Sequence, residues 1–199
     1  GRGQKVALVG HNGTGKTTLM RILAGLEQPD AGIVEIAKSA NIGYLAQDTS
    51  LTTDVTIIDH LRSVAGIDVL EHEIQRLSPE LDKPEIAAQY EEALRRYEYA
   101  DGYTFRHRAE AMLLGFGLSD VELDRPISQL SSGQKSKVAL IGILLKGVDI
   151  LLLDEPTNNL DIPALVWLED FLIRSSATCI IVSHDRRFLD KITTSILDL

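Results

Sequence analysis

A glycine-rich segment near the start of the chain constrains its fold more than any other feature. Gly10-His11-Asn12-Gly13-Thr14-Gly15-Lys16-Thr17 fits the pattern G-x-x-x-x-G-K-[ST]. The β-branched run Lys5–Val9 precedes it, and a run with helical spacing begins at Thr18. Strand, glycine loop and helix in this order form a backbone cradle for phosphate at the positive end of a helix. A glycine-rich turn without a ligand is the alternative, and the flanking strand and helix disfavour it. The segment therefore predicts nucleotide binding.

The residues of this loop have separate predicted roles. Lys16 is expected to reach the outer phosphates as a positive charge, and the hydroxyl of Thr17 is placed to ligate Mg²⁺. We expect nucleotide contacts along the loop and at the start of the helix, from Gly10, Asn12, Gly13, Thr14, Gly15, Lys16, Thr17 and Thr18.

Composition limits the remaining classes of protein. The chain has 199 residues, of which 44% are hydrophobic, which suffices for one domain or for one domain with an inserted lobe. A net charge of −9 gives no overall attraction to nucleic acid, so we expect no direct DNA binding. No apolar run approaches the roughly 18 residues of a membrane span, and no secretory leader is visible. The single cysteine, Cys179, lies in an apolar run, is expected to be buried in a strand, and suits a cytoplasmic protein.

Alternating strand and helix patterns predict an α/β fold with a mainly parallel, twisted sheet flanked by helices. The chain enters its first strand almost at once, so we expect a further segment before it. Strands are predicted at 5–9, 33–36, 41–45, 148–153, 177–182 and 196–199. Helices outside the central region are predicted at 18–24, 135–145, 162–173 and 185–192, with Trp167 in a packing role.

The pattern of the central region, from Thr56 to about Gly117, changes to consecutive helical runs. Thr56 with Asp59 resembles a capping box that opens a helix, and further helical runs are separated by the breaks Ser78-Pro79 and Asp101-Gly102. These helices are predicted from 56, and at 69–77, 85–99 and 105–114. We therefore expect an all-α lobe over 49–125, inserted into a core formed by 1–48 and 126–199. Its charged faces are explained by solvation, with a docking surface as the alternative.

Four candidate sites follow predicted strands, and the carboxyl ends of parallel strands meet at one edge of a sheet. Asp154 is expected to hold Mg²⁺ together with Thr17, and Glu155 to act as general base or to orient water. Gln47 can bridge the water and the metal, and His184 can donate to the γ-phosphate. The alternatives are solvated carboxylates at a strand end and a hydrogen-bonded surface histidine. With the phosphate loop, these side chains predict phosphoryl transfer to water.

Two further patterns bear on binding. Ser131 followed by Gln134 is a capping box, so the N–H groups at the start of the helix 135–145 would point outward and could bind a second anion. The other histidines, at positions 11, 60, 72 and 107, have no metal-ligand spacing, which argues against a structural transition-metal site.

Taken in order, the motifs resemble those of the nucleotide-binding domain of an ATP-binding cassette (ABC) ATPase, over nearly the whole chain. They are the Walker A loop 10–17, the Q-loop residue Gln47, the signature 130–134, the Walker B strand 150–155, the D-loop 158–161 and the switch residue His184. Within this family, the segments 155–161 and 183–190 look most like the ABC-F subfamily, whose members are soluble, carry two cassettes and act on ribosomes.

The resemblance implies ATP and Mg²⁺ as cofactors and a second cassette as partner, in the same polypeptide or as a head-to-tail dimer. The signature residues would then contact the γ-phosphate bound by the partner cassette, and Asp161 would shape the interface. The signature residues in question are Ser131, Ser132, Gly133 and Gln134, with Ser132 where the family usually has glycine.

The resemblance leaves alternative functions open. The leading hypothesis is the ATP-hydrolysing cassette of an ABC-F protein that acts as an ATP-gated clamp on the ribosome. The alternatives are the cytoplasmic ATPase subunit of a membrane transporter, with its helical lobe on a transporter membrane domain, and a non-catalytic nucleotide-binding module. A chromosome-maintenance ATPase would need long coiled-coil heptads after Gln47, and the segment there lacks both the length and the repeat.

Overall fold

A computed structural model describes residues 2–37, 40–47, 51, 54–118 and 120–199. Its centre is a five-stranded sheet with the order β2-β3-β4-β1-β5, in which every neighbouring pair is parallel. The strands are β1 (Lys5–Val9), β2 (Ile42–Leu45), β3 (Ile150–Asp154), β4 (Thr178–Val182) and β5 (Ser195–Asp198). The predicted α/β class with a parallel sheet is confirmed.

Eight α-helices connect or follow these strands in the described part of the chain. They are α1 (Lys16–Leu23), α2 (Ile57–Ala65), α3 (Ile67–Leu77), α4 (Pro84–Tyr99), α5 (Phe105–Gly115), α6 (Ser132–Leu145), α7 (Ile162–Arg174) and α8 (Arg186–Ile192). Short 3₁₀ turns at 78–80, 102–104 and 127–129 separate some of them, the first two where breaks were predicted.

The two faces of the sheet bury different side chains because successive residues of a strand point to opposite sides. On one face, Leu8, Leu152 and Val182 pack with Met20 of α1 in a small cluster. On the other face, Leu151, Leu153 and Ile181 join a large core that includes side chains of α2, α5, α6, α7 and α8. The central helices therefore share a core with the sheet, and the division into lobe and core stays a prediction. The expected boundary between residues 48 and 49 lies outside the described residues, as does Gly1.

One predicted strand is wrong. Residues 33–36 belong to no strand or helix, and Ile33, Val34 and Ile36 are exposed. Apolar β-branched residues favour extended backbone, but a strand also needs a partner, and no backbone pairing holds this segment within the described residues. The other five strands are confirmed, with ends that differ by up to two residues from prediction.

The predicted capping residues begin their helices. Ser131 and Gln134 form a reciprocal capping box at α6. At α2 the hydroxyl of Thr56 accepts a hydrogen bond from the N–H of Asp59 and donates one to the Asp59 carboxylate at 2.6 Å. The Asp59 carboxylate is therefore hydrogen-bonded to the side chain of the cap residue.

The packing predictions for Cys179 and Trp167 are confirmed. Cys179 is fully buried in β4, and burial raises the pKa of its thiol. The ring of Trp167 on α7 stacks on Phe171 with a centroid distance of 5.5 Å and lies 5.0 Å from the ring of Phe116.

Candidate active site

A cleft of about 400 Å³ lies at the carboxyl edge of the sheet. Since β2, β3, β4 and β1 are parallel neighbours, the residues that follow each strand meet there. The cleft is lined by Asn12, Gly13, Gly15, Lys16, Thr17, Thr18, Gln47, Asp154, Glu155, Val182 and His184. The structure thus brings the phosphate loop together with the four side chains predicted to act in catalysis or metal binding, Gln47, Asp154, Glu155 and His184. The outermost lining residues, Asn12 and His184, are more than 170 positions apart in the chain.

The phosphate loop is folded around its lysine. Lys16 Nζ donates to the carbonyl oxygens of Gly10 at 2.8 Å and His11 at 2.9 Å, which holds the ammonium across the loop. Gly15 has φ 95° and precedes α1 without a side-chain cap, so the first turn of α1 keeps its N–H groups for a ligand rather than for a capping side chain. Gly10 and Thr14 do not line the cleft; the Thr14 hydroxyl donates to the carbonyl oxygen of His11 at 3.0 Å, a bond within the loop.

Thr17 and Asp154 form a pair of oxygen donors. Asp154 ends β3 with 1% of its surface exposed, and its Oδ2 accepts from the Thr17 hydroxyl at 2.7 Å. A hydroxyl next to a carboxylate is the ligand set that Mg²⁺ takes in phosphate sites, where it keeps waters and binds through one or two protein oxygens. The residues therefore fit a magnesium ion, with Gln47 lining the same cleft. No group of three or more histidine, cysteine, aspartate or glutamate side chains in the described ranges is placed to hold a metal alone.

Glu155 is buried with one carboxylate oxygen unpaired. Only 7% of the residue is exposed, and its Oε2 accepts from the backbone N–H of His184 at 3.2 Å. Its Oε1 is buried and has no hydrogen-bond partner among the described residues. Burial raises the pKa of Glu155, the His184 N–H and side chain oppose this, and the Asp154 carboxylate adds to it. Such a carboxyl group, with a free acceptor facing a cleft, is suited to accept a proton from water.

The backbone holds Glu155 in place. Its φ of 52° is in the left-handed region, which is uncommon for a residue with a side chain. Its N–H donates to the carbonyl of Val182 at 2.9 Å, so the ladder between β3 and β4 extends to this residue.

His184 lies on the open side of the cleft. Its side chain is 72% exposed, and its Nε2 lies 3.6 Å from Glu155 Oε1, beyond hydrogen-bonding distance. The helix α8 begins two residues later with Asp185 as its cap, which fixes the backbone after His184. The side chain is therefore accessible to a ligand that enters the cleft.

Besides Gly10 and Thr14, five further predicted residues lie outside this cleft. Ser131, Ser132, Gly133 and Gln134 form the start of α6, and Asp161 caps α7. The side-chain oxygen of Gln134 accepts from the N–H of Ser131 at 2.9 Å, which occupies it in the capping box. Their predicted role toward another cassette stays a prediction.

Sequence reasoning missed two contacts around the site. Thr157 Oγ1 and Ser183 Oγ lie 3.0 Å apart and join the segments that follow β3 and β4. The buried Lys137 of α6 contacts Asp161. A hydroxyl residue after each of two neighbouring strands could have indicated the first contact, whereas a lysine in the first half of a mostly apolar helix carried no indication of its partner.

Comparison with known proteins places this geometry in a family. The family model described as "ABC transporter" matches residues 1–158. The tylosin resistance ATP-binding protein TlrC of Streptomyces fradiae is 38% identical over 205 residues, which cover 99% of this chain and 37% of that protein. The ATP-binding protein Uup of Haemophilus influenzae is 37% identical, over 98% of this chain and 30% of that protein. ABC transporter F family member 2 of Arabidopsis thaliana is 32% identical, over 99% and 30%.

Solved structures show the same fold. The ATP binding subunit of an ABC transporter superposes with a TM-score of 0.74 at 22% identity, over 100% of this chain and 75% of that one. A model of ribosome-bound archaeal Pelota and ABCE1 contains a chain with a TM-score of 0.68 and 25% identity, over 99% and 28%. None of the helices in the described ranges is both long and apolar enough to span a bilayer. The chain spans about a third of the length of the curated relatives named above. On the family match and these relatives, the chain belongs to the ABC transporter family, as an ATP-binding ATPase domain most similar to the ABC-F subfamily.

Proposed function

We propose that this domain binds and hydrolyses ATP with Mg²⁺, as one cassette of a soluble, cytoplasmic ABC-F-type protein. The observation that carries the proposal is the single cleft that joins Lys16, the Thr17–Asp154 pair and the unpaired oxygen of Glu155. A module that only bound nucleotide would have no use for a buried carboxylate that lines the same cleft as the phosphate loop and has a free acceptor oxygen.

The side chains divide the reaction between them. Asn12, Gly13, Gly15, Lys16 and Thr18 hold the phosphates, and Lys16 exchanges its carbonyl partners for phosphate oxygens. Thr17 and Asp154, with Gln47, hold Mg²⁺, which when bound neutralises charge on the phosphates. Glu155 accepts a proton from the attacking water or orients it through Oε1, and its raised pKa favours that transfer. His184 donates to the γ-phosphate from the open side of the cleft.

A second cassette completes the site in this proposal. The start of α6 does not line this chain's own cleft, and a helix N-terminus favours an anion. Ser131, Ser132, Gly133 and Gln134 would therefore serve a nucleotide held by a partner cassette, with Asp161 beside them. The matched relatives are about three times as long as this chain and leave room for another cassette. Nucleotide between two such surfaces makes a clamp that ATP closes and hydrolysis opens.

The ribosome is the proposed target of this clamp. The subfamily assignment and the structural match to an ABCE1 chain from a ribosome-bound assembly support it. The transporter alternative would instead place the domain against a membrane protein.

Replacement of Glu155 tests the proposed chemistry. In the full-length protein, Glu155→Gln keeps the shape of the side chain but removes the proton acceptor. We expect ATP hydrolysis to fall about a hundredfold or more, with ATP affinity within about twofold of the wild type. Phosphate release and the binding of a fluorescent ATP analogue measure the two effects.

The matched control is Glu92→Gln on α4, which makes the same chemical change in an exposed pair with Arg95 outside the cleft. It should leave turnover unaltered. Undiminished hydrolysis by Glu155→Gln would remove Glu155 from the mechanism, and a wild-type protein that binds ATP without releasing phosphate would support the non-catalytic alternative.

A further inference from the structure

A buried lysine joins three helices, two of which, α6 and α7, begin with residues of the proposed machinery. Lys137 lies on α6, and its Nζ donates to the carbonyl oxygen of Phe116 at 2.8 Å and to Asp161 Oδ2 at 3.1 Å. Phe116 is the C-cap of α5, and Asp161 is the N-cap of α7. We call Lys137, Asp161 and the Phe116 carbonyl the three-helix junction.

The charges of the junction match the helix ends that they contact. An ammonium group at the C-terminus of α5 satisfies a carbonyl that has no partner within its helix, and a carboxylate at the N-terminus of α7 complements the positive end of that helix. Lys137 is 8% exposed, so its charge depends on these partners rather than on water. Asp161 keeps its other oxygen, Oδ1, on the N–H of Ala164 at 3.1 Å. The carboxylate therefore fixes the start of α7 and holds the lysine at the same time.

The chain that follows α5 lies next to this ion pair, in which the Lys137 side chain is buried and the Asp161 side chain is 54% exposed. Gly117 has φ +70°, and a Cβ there would lie 3.5 Å from Asp161 Oδ2 and 3.8 Å from Lys137 Nζ. The ring of Phe116, fully buried, packs on Trp167 of α7. The end of α5 thus lies beside both members of the pair.

A short, turned segment connects the junction to Glu155. The N–H of Asn158 donates to the carbonyl of Glu155, and the N–H of Leu160 to that of Thr157, both at 3.2 Å. Glu155 and Asn159 both have positive φ angles, so the segment doubles back twice between β3 and α7. Thr157 also contacts Ser183, beside His184. A displacement of Asp161 would therefore reach Glu155 through two consecutive hydrogen-bonded turns.

We propose that Lys137 is a positioning residue that couples the start of α6 to Glu155. It keeps a fixed distance and orientation between two groups, the α6 surface that meets a partner cassette and the Glu155 carboxylate in this chain's own cleft. The inference rests on the proposed function. Loss of the ammonium would allow α6 and the segment 155–161 to shift independently. ATP would still bind, because none of the three groups lines the nucleotide cleft.

The test compares Lys137→Met with the wild type in the full-length protein. Methionine keeps the length of the side chain and removes the charge. We expect kcat for ATP hydrolysis to fall about tenfold or more while KM stays within about twofold, because the lost geometry matters in the transition state rather than in binding. Lys137→Arg, which restores a cation, should recover most of the turnover.

Lys191→Met is the control for simple loss of a stabilising ion pair, since Lys191 holds the buried Glu169 between α8 and α7. It should lower the melting temperature without this change in kcat. Unchanged kcat in Lys137→Met, or a loss of kcat shared equally by Lys191→Met, would overturn the proposal. Wild-type protein and Glu155→Gln are assayed alongside. If wild-type turnover were no greater than that of Glu155→Gln, the proposed ATPase function itself would have failed, separately from the role of Lys137.

A second variant decides the question if Lys137→Met does not accumulate as folded protein. Gly117→Ala retains both charges and imposes a strained φ of +70° beside the pair, with the new methyl group 3.5 Å from Asp161 Oδ2. Gly66→Ala is its match, with φ +74° and no atom within 4 Å of the added Cβ. A fall in kcat at constant KM for Gly117→Ala alone supports the coupling, whereas equal turnover in the two variants contradicts it.

Discussion

At the scale of single residues, Glu155 combines features that stability alone would not favour. It is a carboxyl group with little exposure, one unpaired oxygen and a left-handed backbone conformation, and each of these costs free energy in a folded chain. Strain and unsatisfied polar atoms of this kind collect at functional sites. The cost is offset by the surrounding ladder, through the Val182 carbonyl and the His184 N–H.

The raised pKa of Glu155 gives a prediction about stability and pH. The folded state binds a proton to this carboxyl group more readily than the unfolded chain does, so its contribution to unfolding free energy decreases as pH rises from about 4.3 through the raised value. Glutamine does not titrate. The stability of Glu155→Gln relative to the wild type should therefore increase with pH over that window, by about 1.4 kcal/mol for each unit of pKa shift.

Denaturant unfolding of both proteins without nucleotide, from pH 4 to pH 8, measures this difference. A difference that stays constant or decreases as pH rises would show that the folded pKa is not raised. The pH dependence of catalysis runs in the opposite direction to that of stability, because the ionised carboxylate is the active form. Turnover should therefore decline as the pH falls through the same raised pKa.

At the scale of elements, the contact between α5 and α7 depends on a glycine. A Cβ at Gly115 would lie 2.2 Å from Trp167 Nε1, which is far inside contact distance. We expect Gly115→Ala to lower the unfolding free energy by about 1–2 kcal/mol, because overpacking outweighs the gain in helix propensity. Denaturant unfolding followed by the fluorescence of the single tryptophan measures both the stability and the displacement.

A smaller ring at position 167 should relieve this clash. Trp167→Phe in the Gly115→Ala background is expected to cost less than the sum of the two single substitutions. Additive costs would mean that the methyl group is accommodated elsewhere.

The elements differ in how far the sequence could predict them. Local sequence patterns were enough to predict elements that depend on a helix cap or on a buried apolar run, such as the start of α6 at Ser131 and the strand β3. The segment 33–36 was misassigned because strand formation depends on a partner, which periodicity does not report. The candidate site was predictable because its side chains directly follow predicted strands and occur in a recognisable order along the chain. The three-helix junction was not, because Lys137 and Asp161 meet only through the packing of α6 on the start of α7.

At the scale of the whole molecule, the proposed clamp can be tested by fractionation. Full-length protein carrying Glu155→Gln should retain ATP between the cassettes and stay closed on its target, because the step that opens the clamp is blocked. We expect it to co-sediment with ribosomes in ATP, far more than the wild type does. Sucrose-gradient sedimentation of cell lysates, with ADP as the control, measures this.

Recovery of the variant in the membrane fraction instead would favour the transporter alternative. Addition of Lys16→Met to Glu155→Gln provides the matched control, since loss of the phosphate-binding ammonium should abolish the ATP-dependent association.

The order of the strands also has a consequence for how this domain is made. β1 lies between β4 and β5, and the register pairs Lys5 with Cys179 and Val6 with Ser195. During synthesis, β1 would therefore emerge before both of its partners and stay unpaired on both edges until β4 and β5 had left the exit tunnel. Contacts among α2, α3 and α4 are local and can form much earlier. Nascent chains interrupted before β4 should thus hold a helical cluster beside an open, aggregation-prone strand, and chaperone demand should be greatest at that length.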